Sequence, residues 1–270
     1  MEFSVVAARH ASPPPENLPE VSLDLRSAAS IEAAFDRARP DAVVHAAALG
    51  VDACEADPAA AEAMHVRVPE ALARRCRRRS LRLLALSTDL VLPGDRPFSR
   101  EADPAGALLE YGRTKLLGEQ AVLGADPGAA VLRVALVHGR GHRPGGTASE
   151  AIAWALRAGR TLRLFTDQYR TPVDAESVAA AVAALLRRGG NGLYHVGGPE
   201  RLSRYDLGLR VARLLGLPAH LLQGVTQAEH TPGAPRPLDT SLDCGRARRE
   251  LGWTPRELDI GIREGRAEAG

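Results

Sequence analysis

Tyr111 and Lys115 stand four residues apart in a stretch with helical periodicity, so their side chains project from one face. A phenol beside an ammonium is an acid–base pair. The positive charge favours phenolate and draws the tyrosine down from a pKa of about 10, which suits proton delivery to a carbonyl oxygen. Ser87-Thr88-Asp89 closes an apolar run, and Thr88 could hydrogen-bond the same oxygen. The bland alternative is a surface Tyr and Lys beside a Ser/Thr turn. Composition weighs against it. Lys115 is the single lysine among 35 Lys and Arg residues, and there are four tyrosines. The chance of that lysine falling four places after a tyrosine is roughly 1–2%. Arginine serves poorly where a compact ammonium on a flexible stem is needed.

The elements that would hold this pair alternate between strand and helix. The runs at 3–8, 21–25, 41–46, 81–86 and 130–137 read as strands. Helices are expected from Ser27 to Pro40, from Ala59 to Arg79 with a bend at Pro69, and from Leu108 to Leu123. Pro13-Pro14-Pro15 reads as a turn. Arg74, Arg75, Arg77, Arg78 and Arg79 read as a solvated helix end that complements the dipole rather than as a nucleic-acid patch. The pattern predicts an α/β fold with a Rossmann-like, doubly wound parallel sheet and ligands beyond the carboxyl ends of its strands. After residue 140 the order changes to helices at 175–187 and 205–215, a strand at 192–196, and a Pro-rich segment at 231–238. We read 1–140 as the dinucleotide-binding domain. Residues 141–270 are read as a smaller substrate lobe with parts returning to the sheet.

At 270 residues and a net charge of +2, the chain can bury one large core and shows no bias toward nucleic acid or membrane. No apolar run has the ~20 residues that cross a bilayer. Cys54, Cys76 and Cys244 lack zinc-like spacing and read as reduced cytoplasmic thiols, and no metal site is expected.

Four segments carry a specific likeness. They are Pro40-Asp-Ala-Val-Val-His-Ala-Ala-Ala48, Val51-Asp52 with Glu55, Ser87-Thr-Asp-Leu-Val-Leu-Pro-Gly94, and Tyr111-Gly-Arg-Thr-Lys-Leu-Leu-Gly-Glu119. In that order they resemble the dTDP-4-dehydrorhamnose reductase family of extended short-chain dehydrogenases. The resemblance implies Thr88, Tyr111 and Lys115 as the catalytic trio, reducing a nucleotide-linked 4-keto sugar with NADPH, or with NAD as the lesser choice. It also implies Asp24 and Leu25 at the adenine, Ala46, Ala47 and Ala48 near the cofactor phosphates, and Ser87 beside Tyr111 and Lys115 at the cofactor. Gln168 and Arg236 would meet the substrate, and a homodimer is left open. Arg9, just after the opening strand, suits a 2′-phosphate, with a solvated arginine as the alternative.

Two departures stand out. Residue 1 falls at the family's second strand, so the first strand, its glycine-rich loop and its helix are expected to be missing, with two sheet edges unpaired. A truncated reading of a longer gene fits this better than a natural chain of this length. As it stands, the chain is expected to bind NADPH weakly or not at all. The second departure is Arg170 in Gln168-Tyr169-Arg170-Thr171-Pro172, where the family usually has a small residue. Gly139-Arg-Gly141-His-Arg-Pro-Gly145-Gly146 mimics a phosphate loop, but its spacing is wrong and Pro144 interrupts its amides. His65 reads as a core or surface histidine rather than a proton relay. Two other functions stay open: an epimerase or dehydratase of the same superfamily, and a non-catalytic binding or regulatory subunit.

Overall fold

The computed structural model describes residues 3–10, 18–141, 146–229 and 236–265. The Pro13–Pro15 turn, residues 142–145 of the glycine-rich segment and residues 231–235 of the Pro-rich segment lie outside them. The chain runs β1 (Ala7–Arg9), β2 (Glu20–Ser22), α1 (Ala28–Ala38), β3 (Ala42–His45), α2 (Val51–Ala56) and α3 (Pro58–Glu62). A π-helical turn at Ala63–Arg67 leads into α4 (Val68–Arg78), β4 (Arg82–Thr88), α5 (Glu110–Ala125), β5 (Ala130–Val134) and β6 (Val137–His138). The second half holds α6 (Ala148–Arg157), β7 (Leu162–Phe165), β8 (Tyr169–Arg170), β9 (Val173–Asp174), α7 (Ala175–Arg188) and β10 (Gly192–Val196). It ends with β11 (Leu202–Ser203), α8 (Arg204–Leu215), β12 (Leu222–Val225), α9 (Gly245–Leu251) and α10 (Leu258–Glu264).

The central sheet is parallel, in the order β10-β5-β4-β3. The strands of its middle read as near-continuous apolar runs because helices cover both faces. Leu84, Leu132, Tyr194 and Val196 pack with Val178, Ala181 and Leu185 of α7 and with Trp253 on one side. On the other, Leu83, Ala85 and Val131 meet Ile31 and Phe35 of α1, Leu72 and Cys76 of α4, and Val122 of α5. A third cluster joins α6, α8, β12 and α10 through Ile152, Leu156, Leu207, Val211, Leu222 and Ile262. No helix among the described residues is long and apolar enough to cross a membrane.

β1 and β2 pair only with each other, and β3 is an edge strand. The outer edge of β3 is unpaired among the described residues. The opening strand corrects one expectation. It covers Ala7–Arg9 rather than 3–8, and Val5 and Val6 are 53% and 38% exposed instead of buried. An apolar run becomes a buried strand only where neighbours cover it, and among the described residues little covers Val5 and Val6.

Other differences have local causes. The run at 130–137 breaks after Val134, where the Ala135 amide donates to Val196, and Val137–His138 pairs instead with β9. The 59–79 helix contains the π-turn just before Pro69, whose ring nitrogen cannot donate to the ladder. The arginines at the end of α4 are not all solvated. Arg75 is buried and pairs with Glu32, and Arg79 bonds both Glu32 and Asp36, so this end of α4 is tied to α1.

Candidate active site

Helix α5 carries Tyr111 and Lys115, and its placement is set by close backbone approaches. The Glu55 carboxylate accepts the Glu110 amide at 2.7 Å and so caps the start of α5 from α2. A Cβ on Gly112 would lie 2.2 Å from the Leu90 carbonyl oxygen, and one on Gly118 would lie 1.9 Å from that of His65. Only glycine allows the helix to seat this deeply against the turn that follows β4 and against the π-turn. His65 is buried. Its Nε2 accepts the Leu49 amide at 3.0 Å, so Nδ1 carries the proton and donates to Thr114 Oγ1 at 2.9 Å. Its ring meets that of Tyr111 edge to face at 5.5 Å. His65 is thus a satisfied core residue that steadies Tyr111.

Ser87 and Thr88 end β4, and Thr88 Oγ1 accepts the Leu90 amide at the turn that follows. Thr88, Tyr111 and Ser87 open onto a cleft of 640 Å³ between the sheet edge and the second half of the chain. Lys115, one turn further along α5, is buried. Its Nζ donates to the Leu86 carbonyl at 2.6 Å, leaving two further N–H donors. Burial, opposed by Glu119, lowers the Lys115 pKa to about 8.

The expected depression of the Tyr111 pKa is not found. Burial in the cleft wall and then the Asp89 carboxylate raise it, and hydrogen bonding from Thr88 only partly opposes them. With the ammonium turned to Leu86, the phenol is the stable form at neutral pH. That is the form a proton donor needs.

Below the cleft lies a polar stripe across the sheet. Ser87 faces Arg133 across β4 and β5, and Arg133 faces His195 across β5 and β10. Glu119, one turn after Lys115, accepts Ser87 Oγ at 2.5 Å, and Arg133 Nη2 at 2.7 Å with Nε at 3.0 and 3.1 Å. Both partners of that ion pair are essentially sealed from solvent.

The opposite wall is basic. Gln168, Arg170, Arg204 and Arg236 all face the cleft, with Arg163 from β7. Arg236 is positioned through its backbone: its amide donates to Gln227 Oε1 at 3.1 Å and its carbonyl accepts Gln227 Nε2 at 2.9 Å. Arg204 opens α8 after the Ser203–Asp206 capping box. Burial first, and then the Arg170 and Arg236 charges, push its pKa down to about 10. A guanidinium crowded by two others in a cleft calls for an anion. Sequence reasoning missed Arg204, although its place directly after a helix-capping serine was a usable signal.

The residues expected at the cofactor's far end are spread along the outer strands. Arg9 is bound by Glu20 at 2.7 and 2.8 Å on the surface, and Asp24 accepts the Arg26 amide and guanidinium. Leu25 packs on the α1 side of the sheet, and Ala46, Ala47 and Ala48 are exposed just after β3. In the glycine-rich mimic, the Gly139 amide donates to Ser149 Oγ and the Gly141 amide to the Glu150 carboxylate. Neither amide is left for a phosphate. Thr88 and Tyr111 line the cleft, and Lys115 is buried one helical turn after Tyr111. No glycine-rich phosphate loop of the expected spacing is seen among the described residues.

Known proteins share the sequence and fold of this chain. The RmlD substrate binding domain family matches residues 2–268. The "Probable low-salt glycan biosynthesis reductase Agl14" of Haloferax volcanii is 32% identical, over 95% of this chain and 87% of its own length. The "dTDP-4-keto-6-deoxy-D-glucose reductase" of Streptomyces niveus is 35% identical, over 86% of this chain and 81% of its own. "Methionine adenosyltransferase 2 subunit beta" of Xenopus tropicalis is 30% identical, over 90% and 74%. Among solved structures, a hypothetical dTDP-4-dehydrorhamnose reductase from Sulfolobus tokodaii superposes with a TM-score of 0.84 at 27% identity, covering 96% of this chain and 90% of that one. The dTDP-4-dehydrorhamnose reductase of Bacillus anthracis in complex with NADP gives 0.83 at 19% identity, covering 93% and 90%, and shares the fold. The chain belongs to the RmlD substrate binding domain family.

Proposed function

We propose that this chain reduces the keto group of a nucleotide-linked 4-keto sugar, with NADPH as reductant and NAD(H) as the lesser alternative. One observation carries the reading: Thr88 and Tyr111, with Lys115 buried one turn after Tyr111, face Arg204 and Arg236 across a single cleft. One wall can serve a carbonyl oxygen and the other a diphosphate. The relatives named as keto-sugar reductases support the same chemistry.

In this arrangement the substrate carbonyl oxygen lies between the Thr88 hydroxyl and the Tyr111 phenol. The bound reduced nicotinamide supplies a hydride to the carbonyl carbon. Tyr111, a neutral phenol in the cleft wall, gives its proton to the oxygen as charge develops there. Lys115, with two donors to spare, stabilises the phenolate left behind. Reduced thiols and a cytoplasmic location fit three buried free cysteines.

Loss of NADPH absorbance on adding dTDP-4-keto-6-deoxyglucose to a protein carrying a family strand–glycine loop–helix ahead of residue 1, with the reduced sugar recovered, tests the proposal. A second reading rests on the methionine adenosyltransferase beta-subunit relative. It makes the chain a binding subunit that holds nucleotide without turnover, and the same assay would then stay flat. An epimerase or dehydratase would convert sugar without net loss of NADPH.

Arg204→Gln should weaken dTDP binding about 10–100-fold, the worth of one charge-assisted contact to phosphate. Calorimetric titration with dTDP measures it, and unchanged affinity would remove Arg204 from the anion site.

A further inference from the structure

Arg170 stands out in the cleft wall because it is both paired and incomplete. Its Nη1 meets both oxygens of Asp89 at 2.7 Å, and Thr240 Oγ1 donates to the same carboxylate at 3.1 Å. Asp89 follows Thr88 directly, so this ion pair closes the cleft beside the residues that would hold the carbonyl. Yet the Arg170 Nε–H is buried with no acceptor, and so is the side-chain amide nitrogen of Gln168, two residues earlier. Arg170 is 9% exposed and Gln168 4%, and both line the cleft. A buried donor left unmade costs about 1–3 kcal/mol. Two of them in one wall mark a place where something that accepts hydrogen bonds is meant to sit.

We propose that Arg170 and Gln168 select the sugar, their two free donors taking ring hydroxyl oxygens of a hexose beside the Thr88–Asp89 turn. This rests on the reading of the cleft as a nucleotide-sugar site. The charge pattern separates the two functions of the wall. Asp89 neutralises Arg170, so Arg170 offers a directed N–H rather than a free charge, whereas Arg204 and Arg236 stay available to phosphate. A site built to hydrogen-bond a hydroxyl discriminates strongly against a ligand lacking it, because its buried donors are then unpaired. A small residue at position 170 would leave Asp89 free to accept from the sugar; Arg170 reverses that polarity, offering a donor where the carboxylate would offer an acceptor.

The test compares dTDP with dTDP-glucose by calorimetry on the chain itself and on two variants. Arg170→Lys keeps a cation for Asp89 but has no Nε–H, and Gln168→Met keeps volume but loses the amide. The wild-type protein should bind dTDP-glucose more tightly than dTDP. Each variant should keep its dTDP affinity within about twofold and lose roughly tenfold in dTDP-glucose affinity. If Arg170→Lys fails to fold, Gln168→Met carries the same comparison. Variants that retain the full preference for the sugar would overturn the proposal and leave the nucleotide-sugar reading standing. A wild-type protein that does not prefer the sugar would do the same. Failure of the wild-type protein to bind either ligand would overturn the nucleotide-sugar reading and this inference with it.

Discussion

Tyr111→Phe is expected to slow reduction of the keto-sugar by roughly 10²–10⁴-fold, the usual worth of a positioned general acid. Binding of the sugar nucleotide should change little, because the phenol's contribution is made while the oxygen gains charge. Lys115→Arg should come close to the same loss although charge is kept. The buried ammonium keeps one bond to the Leu86 carbonyl, and a planar guanidinium is longer and aims its donors differently. Thr88→Val removes one of two contacts to the oxygen and should cost less. The double change at Tyr111 and Lys115 should be little worse than either alone, as residues acting in one step require. Single-turnover rates read this series in a protein carrying a family strand–glycine loop–helix ahead of residue 1. Lys115→Arg keeping more than about a tenth of the rate, a loss below ~1.4 kcal/mol, would contradict the role given to the only lysine.

Glu119→Ala should destabilise the fold by about 3–5 kcal/mol. The cause is not the loss of an attraction. Arg133 sits in the middle of the sheet at 3% exposure, and removing its carboxylate leaves a guanidinium with neither water nor a counter-charge. Ser87, which donates to the same carboxylate at the edge of the cleft, would lose its acceptor as well. Replacing Glu119 and Arg133 together by Leu and Met should recover much of the loss, since an apolar pair carries no desolvation cost. Urea unfolding of the three proteins measures it. A loss below about 1 kcal/mol for Glu119→Ala would show that water or another group reaches Arg133.

The parts legible from sequence were those with local signals. The period-2 and period-3.6 patterns placed the parallel sheet and most helices within a few residues, and Ser27 and Pro40 bracketed α1 correctly. Tyr111, Lys115 and Thr88 could be picked out because a lone lysine is conspicuous, and Gln168 and Arg236 because of their resemblance to a family pattern. What escaped was long-range. Arg170 was visible as an oddity, but its pairing with Asp89, 81 residues away, was not. Glu119 lay at the next helical turn after Lys115, yet its partner Arg133 sits on the following strand and looked like an ordinary charge in an apolar run. The tyrosine pKa was misjudged because spacing gives proximity and not the direction of an ammonium, which here points to a backbone carbonyl. Apolar character does not by itself supply a neighbour, and Val5 and Val6 stay exposed.

The central claim is that Thr88, Tyr111 and Lys115 form a site for hydride reduction of a keto-sugar. The most direct measurement follows the hydride itself. NADPH bearing deuterium at the reactive carbon of the nicotinamide is incubated with dTDP-4-keto-6-deoxyglucose and the protein carrying a family strand–glycine loop–helix ahead of residue 1, and the product is read by NMR and mass spectrometry. The account predicts one deuterium at the former carbonyl carbon of the sugar, with an equal amount of NADP⁺ formed and the transfer lost in Tyr111→Phe. Product without deuterium, or transfer undiminished in Tyr111→Phe, would contradict it.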